Sequence, residues 1–575
     1  MNSSIASSFA AVWLFMLAAS ACPGVFAQQR QRPDAGTLQE PLRQIPLLPL
    51  PGAPQIGLPD AKPAVKAAPS VRITPTAFRF QGNTVFDGDT LAAVVAERIN
   101  QPTDLTGLQD VASLISKHYR SRGYLLTEAY LPEQAFQATG GTVTIAVIEA
   151  RIGNVRVRLD GEHGPALFAQ GIVSANLPSG ALITENMLDK PVLLLRDLAG
   201  MDASATVEPG ATTGQADVTV TLRPQGLLVD GSVSLDNSGA RAAGALRMTT
   251  SLNVSNLAGR GDVFSARVQA SESYRSELYR VAYGVPVDTT GTRLAVSAAH
   301  TRYNLGKQFA ALGATGRADV QDISLSRALV RSRASNMYGL VSLEHKKFSD
   351  EISMPANESK RRIVSVRLGL LGNFSDETGA GASSSYALGA TLGRVKLDAA
   401  SFGFDQGAGG PQTAGGFKKY NLEFQRTQFF NNPASIHVNF QAQLASKNLA
   451  SAEKMALGGP TGVRGYPVGE GVGDAGVLLN LETRYQLPAP LTLFGEPVSV
   501  AAFYDYGTVK FNQDNTATGG VNRLALGSVG VGVLAGRVNH FLITAYLAWR
   551  TTDLSPTTGD PDRAPRAWVT AQKWF

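Results

Sequence analysis

The run Val498-Ser499-Val500-Ala501-Ala502-Phe503-Tyr504-Asp505-Tyr506-Gly507 alternates with a period of two. Val498, Val500, Ala502, Tyr504 and Tyr506 make an apolar set, and Ser499, Ala501, Phe503 and Asp505 make the other. That period puts successive side chains on opposite faces of a β-strand. The rhythm recurs upstream. Ile436, Val438, Phe440, Ala442 and Leu444 alternate with His437, Asn439, Gln441 and Gln443. Tyr420, Leu422 and Phe424 alternate with Lys419, Asn421, Glu423 and Gln425, and Leu246, Met248, Thr250, Leu252 and Val254 with Arg247, Thr249, Ser251 and Asn253. Further segments start near Val229, Phe264, Tyr279, Val364 and Leu479. A soluble sandwich alternates too, but here the second face is strongly polar and the segments run about ten residues, the span of a tilted transmembrane strand. Residues 226–575 hold about sixteen such strands, an even number as bacterial barrels use. The expectation is an all-β membrane barrel whose apolar sets face lipid and whose Asp505 faces a water-filled lumen.

Upstream of the barrel the period changes. In residues 71–150 a strand lies within 78–86, Asp89 and Thr90 cap a helix over 91–99, and a second helix over 108–121 puts Leu108, Val111, Ala112, Ile115 and Tyr119 on one face. Gly123 stops it, and strands follow at 124–131 and 142–149. The order β-α-α-β-β repeats in residues 151–225, with strands at 152–159, 203–207 and 216–222 and helices at 165–175 and 185–198. Two copies of one unit make a tandem array. Their mixed sheets leave strand edges open. The chain therefore reads as α+β followed by all-β.

Residues 1–27 read as a signal peptide, with an apolar run from Phe9 to Ala21 and small residues at Val25 and Ala27 ahead of the cut. Cys22 is the single cysteine, so a chain cut after Ala27 carries none, which fits a bacterial envelope protein better than a disulfide-stapled secreted domain. Residues 28–70 read as a periplasmic linker with prolines at 33, 41, 46, 49, 51, 54, 59, 63 and 69, which rule out a long helix; residues 38–44 could make one helical turn. After the signal peptide no apolar run is long enough for a membrane helix, so a spanning chain must close as a barrel.

Net charge is +6, but charged residues are only 17% and Lys and Arg are scattered, so nucleic acid is not a partner. The Gly-x-x-x-x-Gly-Lys-Ser/Thr, His-Glu-x-x-His and Gly-x-Ser-x-Gly motifs are absent from the sequence, and histidines 118, 163, 300, 345, 437 and 540 are scattered. No enzyme, cofactor or metal site is expected; His437 reads as lumen lining.

Gly458-Gly459-Pro460-Thr461-Gly462-Val463-Arg464-Gly465-Tyr466 then stands out, a single cation in a Gly-rich loop between amphipathic strands. By itself it reads as a surface loop with a solvated arginine.

The whole arrangement resembles the two-partner secretion transporters, the filamentous-haemagglutinin and haemolysin exporters, within the superfamily that includes the barrel-assembly insertase. The β-α-α-β-β units resemble POTRA domains, POTRA 1 at 71–150 and POTRA 2 at 151–225. Leu131-Pro132-Glu133-Gln134 is similar to a signature of the family's first POTRA domain, carried by Pro132 and Gln134. Val463, Arg464, Gly465 and Tyr466 are similar to the superfamily's Val-Arg-Gly-Tyr motif, and Phe503, Asp505 and Gly507 to its Phe-x-Asp-x-Gly motif. Terminal Phe575 is similar to its assembly signal, with Lys573 where a hydrophobic residue is usual.

The resemblance implies an outer-membrane translocase that captures an unfolded exoprotein, an adhesin or haemolysin, in the periplasm and exports it without ATP. It implies a loop inside the barrel whose Arg464 meets inner-wall Asp505, an ion pair of about 1–3 kcal/mol in a wet lumen. Its partners would be the exoprotein, outer-membrane lipid and, during biogenesis, the barrel-assembly machinery. Family members often carry an N-terminal helix that plugs the pore, which the prolines here disfavour. The alternatives are an insertase factor, which usually carries more POTRA domains, and a passive porin, for which they are superfluous.

Overall fold

The computed structural model describes residues 33–38, 55–58, 72–135, 141–161, 165–225, 228–354, 356–516 and 519–575. The expected signal peptide and most of the turn expected at 38–44 lie outside them.

The first unit runs β2 (Pro75–Gln81), α1 (Gly88–Val94), α2 (Leu105–Arg120), β3 (Glu128–Tyr130) and β4 (Gly141–Ile148), in a sheet ordered β2-β4-β3. Helix α2 buries Leu108, Val111, Ala112, Ile115 and Tyr119, the five residues the periodicity selects. Asp104 caps it by accepting the Gly107 amide at 2.9 Å. Two local expectations are corrected. Asp87, not Asp89 or Thr90, caps α1, accepting the Thr90 amide at 2.8 Å, and α1 ends at Val94, before a 3₁₀ turn at Ala96–Arg98. The strand expected at 124–131 shrinks to β3 because the Tyr124 amide bonds back to Tyr119 O at 3.1 Å and closes the turn after α2.

Glu149 ties this unit together. It is 7% exposed and accepts from the amides of Thr84 (2.7 Å) and Val85 (2.9 Å), from the Thr84 hydroxyl, and from the Tyr119 hydroxyl (2.8 Å). Burial opposes its charge, but these hydrogen bonds prevail and hold its pKa below the ordinary 4.5. Burial and the same carboxylate push Tyr119 upward.

The second unit repeats the order as β5 (Arg151–Leu159), α3 (Ala166–Asn176), α4 (Glu185–Arg196), β6 (Met201–Pro209) and β7 (Gln215–Pro224). Its sheet gains a strand that the sequence does not announce. The linker segment β1 (Gln55–Gly57) lies parallel to β6, giving the order β1-β6-β7-β5. One edge expected to be open is therefore occupied. The unit is also fixed to the barrel. Arg331 grips Asp197 through Nε at 2.9 Å and Nη2 at 2.5 Å, Arg333 pairs with Asp189 at 2.7 Å and Glu185 at 3.1 Å, and Ala328 of the wall joins the unit's apolar core.

Sixteen antiparallel strands, from Val229–Asp236 to Arg566–Trp574, form the closed barrel. The seam pairs Ser232 to Asp236 with Trp574 to Thr570, and Phe575 extends it by exchanging backbone bonds with Gly231 at 2.9 and 3.0 Å. Outward positions such as Val268, Val281, Ile323, Leu343, Leu368, Leu392, Val531 and Val569 are exposed and apolar, a belt like that of membrane barrels. Among the described residues no helix is long and apolar enough to cross a membrane. Several strands exceed the expected ten residues: Ser335–Ser353 has 19 and Ala356–Asp376 has 21. Their joined ends are rich in Asp, Glu, Lys and Arg. Outside the hydrocarbon, pairing still satisfies the backbone, so the ladder continues into water.

Because the Glu149 pKa is depressed on folding, its contribution is present above the unfolded value and is lost as pH falls below about 4.5 through the folded value. Glu149→Gln should cost the first unit about 1–2 kcal/mol at pH 7 and flatten its stability between pH 7 and about 3. Hydrogen exchange of α2 amides across that range is the measurement; an unchanged pH slope in the variant contradicts the assignment.

Candidate functional site: an arginine loop in the barrel lumen

Residues 446–474 connect Ala434–Ala445 to Ala475–Gln486 at the barrel end remote from the second unit, and fold back into the lumen. The wall prepares a site for them. On strand Glu496–Lys510 the period of two turns Ala501, Phe503 and Asp505 inward, where they are buried, while Val500 on the other face is exposed. Ladder pairing sets Asn480 and Ser528 beside Asp505, and Glu482 and Gly530 beside Phe503.

Arg464 occupies that site and is 4% exposed. Its Nε donates to Asp505 Oδ2 at 3.0 Å and its Nη2 to Oδ1 at 2.8 Å, a two-pronged grip, while its own backbone amide donates to Oδ2 at 3.0 Å. Nη1 pairs with Glu482. The guanidinium lies over the Phe503 ring, 3.4 Å from its centroid, and near Tyr546 at 4.9 Å. Asp505 also accepts from Asn480 Nδ2 at 2.8 Å and Ser528 Oγ at 3.0 Å, so both oxygens are saturated. Trp568, on the last strand, donates Nε1–H to the Arg464 carbonyl at 2.7 Å.

The neighbouring motif residues seat the loop. Val463 and Tyr466 are fully buried with Leu457, Leu478, Val509, Leu524 and Leu526. The Tyr466 hydroxyl reaches Thr552, with Oγ1 at 2.7 Å. Gly465 and Gly507 mark close approaches: a Cβ on Gly465 would stand 2.8 Å from Ser528 Cβ, and one on Gly507 2.7 Å from Leu457 Cδ2.

The sequence brings Arg464 and Asp505 together but leaves out most of their surroundings. Glu482 and Tyr546 fall on inward positions of alternating strands, so the period points at them without singling them out. Two further buried carboxylates of the loop carry no signal at all. Glu453 binds Lys346 at 2.9 Å and Lys419 at 2.8 Å, and Asp474 binds Lys454 at 3.0 Å. The wet-lumen expectation is corrected: Asp505 is 0% exposed, so this pair is dry. His437 lies on the inner wall, hydrogen-bonded to Thr427 and Ser435 at 3.0 Å. Among the described residues no cluster of metal-binding side chains occurs.

The remaining motif residues act elsewhere. Gln134 extends the first unit's sheet with its side chain, accepting the Thr144 amide at 2.9 Å and donating to Thr144 O at 2.8 Å. It takes the place of a β3 that ends at Tyr130. Pro132 offers its carbonyl to Gln134 at 3.4 Å.

A closed antiparallel barrel with a lumen loop and a POTRA domain in front defines the class, an outer-membrane transporter of the POTRA-barrel type. Residues 73–150 match the family model "POTRA domain, ShlB-type", and residues 214–533, more than half of the chain, match "Haemolysin secretion/activation protein ShlB/FhaC/HecB". The chain belongs to that family, whose members carry exoproteins across the outer membrane. It is 27% identical over 475 residues to the heme/hemopexin transporter protein HuxB of Haemophilus influenzae, covering 80% of each chain. Its fold is similar to that of CdiB from Escherichia coli, with a TM-score of 0.66 over 90% of this chain and 92% of that one, at 20% identity. BamA from Haemophilus ducreyi aligns more loosely, with a TM-score of 0.51 over 88% of this chain and 100% of that one, at 13% identity.

Removing one partner of a buried ion pair costs about 3–5 kcal/mol, more than a solvated pair loses. Arg464→Ala should therefore unseat residues 446–474, read as protease sensitivity of the loop, while the barrel still closes, because the backbone ladder of the wall does not involve that side chain. Arg464→Lys should recover only part, since one ammonium cannot grip Asp505 twice and reach Glu482. Combining Arg464→Asp with Asp505→Arg should not rescue, because the new carboxylate would face Glu482. A protected loop in Arg464→Ala contradicts this account.

Proposed function

We propose that the POTRA units capture an unfolded exoprotein, an adhesin or haemolysin, in the periplasm, and that the exoprotein passes through the barrel as the Arg464 loop withdraws. The observation that carries this reading is the lumen itself. The chain's own residues 446–474 fold into it, and their buried anchors to the wall include ion pairs of single side chains: Arg464 to Asp505 and Glu482, and Glu453 to Lys346 and Lys419. Such anchors can be released and remade without opening the wall ladder. The units supply extended sheet edges, where an unfolded chain adds as a strand, with backbone bonds for affinity and side-chain pockets for selection. No ATP is needed if the exoprotein folds outside the cell and so cannot return. Outer-membrane lipid covers the apolar belt, and the barrel-assembly machinery handles terminal Phe575 during biogenesis. Finding a neighbouring gene for a large secreted β-helical protein would favour export over barrel assembly.

Deleting the first unit alone (residues 72–149) tests capture. The second unit keeps its ion pairs to Arg331 and Arg333, so the barrel should insert normally. Exoprotein in the medium, measured against transporter in the outer membrane, should fall to the level of a transporter-free strain. Undiminished export by the deletion rules out capture by this unit.

A further inference from the structure

The outer wall of the barrel carries an unbalanced patch of charge on one side. Four neighbouring strands form it: Ser335–Ser353, Ala356–Asp376, Ala382–Leu397 and Gly415–Phe429. Lys347, Arg362, Arg394, Lys396 and Lys418 on these strands are exposed. Phe348, Ile363, Val395 and Phe417 beside them are buried, so the five cations share the outward face with Leu343, Val364, Val366 and Leu392.

Ladder register lines the cations up. Lys347 stands opposite Arg362, and Arg362 opposite Lys396, which places three cations side by side within about 10 Å. Arg394 follows two residues from Lys396 on the same face, and Lys418 stands opposite Leu392 on the next strand. Like charges directly opposite one another destabilise a sheet, and the chain does not offset them. Among the described residues none of the five side chains has a hydrogen-bond or ion-pair partner. The nearby groups are already engaged: Lys360 pairs with Glu358 at 2.7 Å, and Asp319, opposite Lys347, pairs with His300 at 2.6 Å.

The row lies at the barrel end remote from the periplasmic POTRA domain, and so at the level of the outer leaflet. Toward the membrane centre His345, Val364 and Arg394 come next in register, and then Leu343, Val366 and Leu392. A groove of about 870 Å³ is lined by both kinds of residue, with Arg362, Arg394, Lys396 and Lys418 as its cations and Val364, Val366 and Leu392 as its apolar part. Gly416, opposite Arg394, leaves room in it, since an added Cβ there would meet only Gly393 O at 3.9 Å. The seam side differs. Near the same end its outward positions are Leu235 and, opposite it, Met248, both exposed and apolar.

We propose that this face is a docking site for an outer-leaflet lipid whose headgroup carries two phosphates. One phosphate set on Lys347, Arg362 and Lys396 offsets a repulsion that the chain leaves standing, and the second meets Arg394 and Lys418. The acyl chains lie on Val366 and Leu392. A free phosphate would use the cations and leave the apolar rows beneath them uncovered, so the occupant is a lipid and not a soluble anion.

The test uses the purified full chain, delipidated in a neutral detergent and titrated with lipid A bearing two phosphates, with binding read by native mass spectrometry. One tightly bound copy is expected. Lys347→Gln/Arg362→Gln/Lys396→Gln should bind it at least about tenfold more weakly, the least that loss of a charge-assisted contact costs. Arg327→Gln removes an exposed cation near the other end of Thr315–Arg331 and should bind as the parent does. Lipid A with a single phosphate should bind the parent about tenfold more weakly, a reading that does not depend on how the triple variant folds. Equal binding by the triple variant, equal affinity for the two lipids, or full displacement by inorganic phosphate overturns the proposal, as does a loss in Arg327→Gln as large as in the triple variant.

Discussion

A guanidinium taken out of water sits at the centre of this molecule. Arg464 has no solvent to fall back on, so Asp505 and Glu482 must hold it, and they in turn need Asn480, Ser528 and Arg484 to complete their hydrogen bonds. That requirement fixes the loop's path, the glycines at 465 and 507, and the aromatic wall at Phe503 and Tyr546. A buried ion pair is weak evidence for net stability, because desolvation consumes much of the attraction. Its effect here is geometric. With both carboxylates and the guanidinium buried, intermediate positions leave a charge unpaired, so the loop has a defined seat and not a continuum of poses.

The same logic of short, specific contacts runs through the periplasmic part. The second unit meets the barrel through Arg331 and Arg333 and a small apolar contact at Ala328. Among the described residues the linker meets the second unit through Gln55–Gly57 and meets the lumen through Asp34. The wall, by contrast, is a continuous ladder around a closed ring. Rigid wall and separable attachments are distributed as a conduit needs them, with local openings available at a cost far below that of opening the barrel.

The barrel was legible because its chemistry is periodic. Two-residue alternation assigned faces to Phe503 and Asp505 directly, and a ten-residue span with a polar inner set pointed to a membrane. The α2 face was legible for the same reason. What escaped is what periodicity does not encode. Gln55–Gly57 is too short to carry a pattern, and its pairing is decided by the edge it meets. Glu453 and Asp474 lie in irregular backbone, where no face is implied. The Asp87 cap was missed by two residues because Asp87, Asp89 and Thr90 all favour helix starts and only the backbone decides among them. The dryness of the Arg464 pair is a property of how loop, wall and Trp568 close together, which no single segment displays.

Trp568 carries an implication in time. Its indole bonds to the Arg464 carbonyl from Arg566–Trp574, the strand made last by the ribosome and the one that zips to Val229–Asp236 to shut the ring. Loop seating and ring closure thus share one contact. A barrel that shut with residues 446–474 outside would lack it and would leave Asp505 without its cation. Correct threading is favoured at the moment of closure, so the wall inspects its own contents before it becomes a pore.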